Sequence, residues 1–156
     1  MRCGVFDNVL ARDVLIEPSG QYRSGVFTRD GVIEDSLLRR HYGVFVAARK
    51  DPPPDKVNHG PPGTFIFGGY LQTHFGHFLL ETLNMVWALR KHVHLPIVWI
   101  PMKGVTQWLD WQLEILDLLG ISRHRHVLNC GDTHYERMLV AQPGYEIQRT
   151  FHPAQE

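Results

Sequence analysis

The run from Thr64 to Arg90, TFIFGGYLQTHFGHFLLETLNMVWALR, permits few folds. Four β-favouring residues at 64–67 stop at Gly68-Gly69, and this combination reads as a buried strand closed by a turn. An amphipathic helix is expected a few residues further on. At about 100° per residue, Phe75, Phe78, Leu79, Thr82, Val86 and Leu89 fall on one side of it, while His74, His77, Glu81, Asn84 and Lys91 gather on the other. A helix that follows a strand begins beside the strand's carboxyl end, where open α/β sheets form their clefts.

On that helix His74, His77 and Glu81 are spaced i, i+3 and i+7, so neighbours in the series touch. An imidazole ordinarily titrates near 6.5 and can take a proton at neutral pH; a carboxylate one turn later can fix its tautomer and orientation. His77 and Glu81 are therefore candidates for a base and its orienting partner. The same spacing equally suits a structural hydrogen-bonded pair, and spacing alone leaves both open. A metal-dependent hydrolase with His74, His77 and Glu81 as ligands is a third reading, weakened because such helical ligand sets normally need more donors than this helix offers.

At 156 residues with 44% hydrophobic content, the chain is of single-domain size and can bury a core. Sixteen basic residues balance sixteen acidic ones, so no global field favours nucleic acid or an anionic membrane. Cys3 and Cys130 lack metal-type spacing and are expected as reduced thiols. No apolar run approaches the roughly 18 residues of a membrane span, and residues 1–7 lack a signal-type apolar core. A cytoplasmic protein without an integral membrane segment is expected, and self-association into a homo-oligomer is compatible with the sequence.

Residues 1–49 form a β-rich amino-terminal element, with strands expected at 13–17, 25–29, 31–34 and 43–48 and a hairpin at Asp30-Gly31. A helical turn is expected at 36–41. Arg39, Arg40 and Arg49 read as a solvated basic face. Residues 50–63, with Pro52-Pro53-Pro54 and Pro61-Pro62-Gly63, form a linker or surface loop, because proline lacks an amide donor and fixes φ. From residue 64 to 156 strands and helices alternate, which implies parallel pairing with right-handed crossovers. The second strand is expected at 95–100 and the second helix at 106–119, with Leu109, Leu113, Ile115, Leu116 and Leu119 inward and Gly120 as its stop. Trp108 and Trp111 suit core or interface packing better than a sugar-stacking platform. His124 and His126 precede a short strand at 127–128, and a last strand is expected at 136–141. Metal-binding Asp-x-Asp, P-loop and Gly-x-Gly-x-x-Gly patterns are missing from the sequence.

The words THFGHFLLETL at 73–83 and VWAL at 86–89 resemble the hallmark segment of glycosyltransferase family 61, in the bacterial members labelled capsular polysaccharide biosynthesis proteins. The likeness extends to Gly68-Gly69-Tyr70-Leu71, to 95–101 and to 139–145, covering residues 22–153. Such proteins commonly carry Arg where this chain has Met85. The resemblance implies a Rossmann-like α/β half of a GT-B-type glycosyltransferase, a parallel sheet flanked by helices, on the amino-terminal, acceptor side. A second half would hold most of the nucleotide-sugar donor, and the 156 residues alone would be inactive. It further implies direct inverting transfer to a saccharide acceptor, with His77 as base, Glu81 orienting it, and Tyr70, Gln72 and His74 lining the acceptor cleft. No metal or other cofactor is expected. A non-catalytic carbohydrate- or protein-binding module of the same fold is the alternative.

Overall fold

The computed structural model describes residues 1–40, 43–146 and 150–151; the end of the turn expected at 36–41 and the last five residues lie outside these. The architecture is mixed α/β. A ten-stranded sheet runs in the order β4-β5-β2-β1-β10-β7-β8-β9, with β3 on β2 and β6 on β10. Its strands are β1 (Cys3–Ile16), β2 (Tyr22–Thr28), β3 (Gly31–Val32), β4 (Leu38–Arg40), β5 (Gly43–Ala48), β6 (Asn58–His59), β7 (Thr64–Leu71), β8 (Ile97–Pro101), β9 (His126–Leu128) and β10 (Thr133–Ala141). The helices are α1 (Phe75–Leu80), α2 (Val86–Lys91) and α3 (Asp110–Leu118), and a small separate ladder joins β11 (Tyr145–Glu146) to β12 (Thr150–Phe151).

Strands β10, β7, β8 and β9 pair in parallel, as alternating strands and helices require. Every residue of β8, and every residue of β7 after Thr64, is buried, the pattern of strands covered on both faces. The amino-terminal strands extend this same sheet: β1 runs antiparallel to both β10 and β2. Strand β1 reaches back to Cys3, well before the expected start at residue 13. The hairpin at Asp30-Gly31 forms, with Thr28 opposite Gly31, and β5 spans the expected 43–48. The expected helical turn is replaced by a 3-10 turn at Glu34–Ser36 followed by strand β4. Leu38 and Arg40 pair there with β5, and that ladder outweighs a local helical preference.

Two further expectations are corrected. Gly68-Gly69 do not end the strand; they lie inside β7, with a register shift against β8 between Phe67 and Gly69. A Cβ at Gly68 would sit 2.7 Å from both Ile97 Cγ2 and Trp99 Cδ2, so the glycine lets the Trp99 indole press on the strand. The helix expected after the strand is also broken. α1 ends at Leu80, the chain tightens into a 3-10 turn over Thr82–Met85, and α2 resumes at Val86. The tightening falls where the Thr82 hydroxyl donates to Tyr70 O at 2.8 Å and accepts the Gln72 N–H at 3.2 Å, tying the helix to the end of β7.

Residues 50–63 are anchored at both ends: Asn58 and His59 pair with β10 and the Gly63 N–H donates to Glu136 Oε2 at 2.8 Å. Buried Arg12 donates to Asp132 Oδ2 at 2.9 Å and to the carbonyls of Asp51 and Pro52 at 2.6 and 3.2 Å. Arg49 hydrogen-bonds the Asp51 carboxylate and holds its pKa down to about 2. Near the far edge of the sheet, the Trp99 Nε1–H donates to His126 Nδ1 at 3.0 Å, and Trp108 meets Trp99 edge-on and lies tilted against the His126 ring. Trp108 thus belongs to the core's flank.

Adding a methyl at Gly68 must displace an indole inside a packed core. Gly68→Ala is expected to cost about 1–3 kcal/mol, read as a lower urea midpoint at unchanged slope. Burial pushes the His126 pKa down to about 4, so the folded state binds fewer protons than the unfolded chain, where an imidazole titrates near 6.5. Its contribution is complete above about 6.5 and is lost as pH falls towards 4. Urea titrations at pH 7, 5.5 and 4 should show stability falling across this window, and His126→Gln should flatten that part of the profile.

Candidate functional site

The carboxyl end of β7 delivers Gln72, and α1 opens three residues later, with His74 just before its first turn. The i, i+4 relation of His77 and Glu81 then brings His77 Nδ1 to 3.1 Å from Glu81 Oε1. The two differ sharply in exposure: the His77 side chain is 42% accessible and that of Glu81 is 0%. The ring therefore opens to solvent, while the carboxylate expected on a polar helix face is interior.

A charge at that depth needs compensation. Arg40, from β4, supplies it: Nε donates to Glu81 Oε1 at 2.6 Å and Nη2 lies 2.5 Å from the same oxygen. Gln72 Nε2 donates to the other oxygen, Oε2, at 2.6 Å. The Arg40 guanidinium also lies over the Phe45 ring, 3.4 Å from its centroid, which fixes its plane, and Nη2 stands 3.3 Å from His77 Nδ1. Gln72 is itself held by buried Gln112 of α3, whose Nε2–H donates to Gln72 O at 2.7 Å while its Oε1 accepts the Leu109 N–H at 2.9 Å.

Of the candidates from the sequence, the structure brings together His77, Glu81, Gln72 and His74, whose ring centroid is 5.1 Å from that of His77. Tyr70 is placed differently. It is 3% exposed and packs edge-on against Phe67 in the core, and burial raises its phenol pKa. Asn84, expected on the polar face, is also buried. Phe75, expected inward, is 58% exposed and leans on Trp111, with centroids 5.5 Å apart. Both oxygens of Glu81 are engaged by Arg40 and Gln72, so the metal-ligand reading of His74, His77 and Glu81 loses its carboxylate. Among the described residues no group of three or more His, Cys, Asp or Glu side chains is placed to hold a metal ion.

Arg40 and Gln112 are the residues the sequence concealed. Gln112 carries a signal in retrospect: a polar residue inside the 109, 113, 116, 119 apolar stripe of its helix has to find a buried partner. Arg40 carries none, since its carboxylate lies 41 residues away. The expected basic patch dissolves into separate pairs, Arg39 with Glu34, Arg40 with Glu81, and Arg49 with Asp51 and Asp132. Cys3 and Cys130 are free thiols, and no helix among the described residues is long and apolar enough to cross a membrane.

No protein-family model, curated protein or solved structure matches the chain.

Removing Arg40 strands an interior carboxylate. Arg40→Met is expected to destabilise the fold by about 3–5 kcal/mol, as for other broken buried pairs. Adding Glu81→Gln to that variant should recover more than half of the loss, since the uncompensated charge is then gone. A double-mutant cycle by chemical denaturation checks both steps.

Proposed function

We propose that the chain is the acceptor-side half of a glycosyltransferase resembling family 61, passing a sugar from a nucleotide donor to a saccharide hydroxyl. One geometry supports this above all: a solvent-open imidazole whose Nδ1 lies 3.1 Å from an interior carboxylate, at the carboxyl end of a parallel strand. General-base catalysis needs a ring that substrate can reach and a partner that holds its orientation. His77 has both.

In this reading His77 accepts the proton of the attacking acceptor hydroxyl as the new glycosidic bond forms on the opposite face of the donor sugar. Glu81 stabilises the imidazolium, and because Arg40 and Gln72 already anchor Glu81, little reorganisation accompanies the proton transfer. His74, beside the ring, and Gln72, on the other oxygen of Glu81, bind acceptor hydroxyls in this reading. The exposed Phe75 face beside Trp111 offers an apolar surface to a pyranose. Tyr70 serves this site from within the core, through its carbonyl bond to Thr82. The finer architecture, a Rossmann-like half facing a second α/β half that carries the donor site, belongs to the same proposal. Parallel pairing of β10, β7, β8 and β9 supports it.

With the second half present, His77→Ala should lower kcat by about 10²–10⁴-fold, the usual weight of a general base, with little change in acceptor affinity by calorimetry. Undiminished turnover would remove His77 from the mechanism. Saccharide binding with no turnover under any pairing would leave a carbohydrate-binding module.

A further inference from the structure

We propose that the open groove between the carboxyl ends of α2 and α3 docks on an anionic membrane surface, with Leu118 and Val93 entering the headgroup layer between cations. The inference is independent of the transferase reading, because His77 takes no part in it.

The chain's charges balance overall but not along its length. Residues 82–109 and 118–131 contain no aspartate or glutamate, and Arg90, Lys91, Arg123 and Arg125 fall within them. Folding gathers these cations around one groove. Arg90, Val93, Leu118, Leu119 and Gly120 line it, and its volume is about 430 Å³. Arg125 ties down the end of α2, donating to Leu89 O, His92 O and Leu95 O at 3.3, 2.8 and 2.8 Å; carbonyl acceptors leave its charge uncancelled. Arg123 pairs with Asp117, the neighbour of Leu118. The remaining acids of α3, Glu114 and Asp110, stand one and two turns further from the groove. Among the described residues neither Arg90 nor Lys91 has a carboxylate partner. Burial, then the charges of Lys91 and His94, lower the His92 pKa, as a crowded positive surface does.

The helix dipole alone would account for cations in the last turn of α2. It does not account for the apolar side chains between them. Leu118 is 87% exposed and Val93 59%, and Leu118 is the most exposed large apolar side chain among the described residues. A protein partner would bury a core enriched in aromatic residues and poor in lysine; here two aliphatic side chains stand among long cationic ones. Nucleic acid would use the cations and leave Leu118 in water. Aliphatic groups that enter the acyl boundary while arginine and lysine meet headgroup phosphates satisfy both observations at once. Docking in this way holds the chain at a bilayer surface without a spanning segment.

Sedimentation of the full chain with vesicles tests this. The chain should pellet with vesicles of equal parts phosphatidylglycerol and phosphatidylcholine at low ionic strength, stay in solution with phosphatidylcholine alone, and be released by high salt. Arg90→Gln combined with Lys91→Gln should weaken partitioning about 25-fold, at about five-fold per cation, and Leu118→Ser about ten-fold. All three positions are exposed, so unchanged urea midpoints identify variants that remain folded. Failure to bind the anionic vesicles, equal binding to the neutral ones, or folded variants that bind like the wild type would each overturn the proposal. So would a dimer in lipid-free buffer, seen by ultracentrifugation and abolished by Leu118→Ser, since a second copy would then cover the groove.

Discussion

Strand β10 is hydrogen-bonded along both edges, antiparallel to β1 and parallel to β7, and this double pairing holds the molecule together. Through it the β-rich first third of the chain becomes part of the sheet that carries the helices. Met138 and Leu139 face Phe6 and Val5 on one side and Phe65 and Ile66 on the other. Loss of β10 would leave β1 and β7 as open edges, each with an unpaired row of donors and acceptors.

The sheet also has to curl. In strand order β4 lies five positions from β7, about 24 Å in a flat sheet at roughly 4.8 Å per strand. Yet Arg40 of β4 reaches the carboxylate of Glu81, just beyond α1, which follows β7. Register shifts between Arg12 and Leu15 and between Leu38 and Arg39 mark bulges in this half, and bulges bend and twist the strands that carry them. Leu38 is thereby brought to the walls of a small cavity shared with Phe67, Tyr70 and Glu81. The carboxylate is interior because β4 closes over it, and the same closure supplies the cation that makes its burial tolerable.

Around Glu81 the polar groups are matched in number as well as in charge. Oε2 takes the Gln72 amide, Oε1 takes the guanidinium, and the backbone that presents Gln72 is secured by Thr82 and Gln112. Charge-assisted hydrogen bonds in a low-dielectric setting are strong, and their loss is costly. A cluster this tightly connected fixes the orientation of the one member open to solvent, His77. It also explains why α1 is short: the chain bends into a 3-10 turn at Thr82, whose hydroxyl is committed to the end of β7.

Local pattern determined a good deal by itself. The hairpin at Asp30-Gly31, strand β5, the buried run opening at Thr64, the stop of α3 at Gly120 and the pairing of His77 with Glu81 all follow from turn chemistry, period and spacing over a few residues. Tertiary structure decided everything that depends on what lies opposite. Gly68-Gly69 read as a terminator because glycine commonly ends strands; inside β7, Gly68 instead makes room for Trp99, a neighbour 31 positions on that no local signal reveals. Glu81 and Asn84 read as solvent-facing because helical periodicity assigns faces without knowing how many of them will be covered. Arg40 read as surface because an isolated arginine is cheapest in water, and only a distant buried carboxylate reverses that preference. Sequence periodicity is a statement about one element's own geometry, whereas burial and charge compensation are properties of the space between elements, which exists only once the chain has folded.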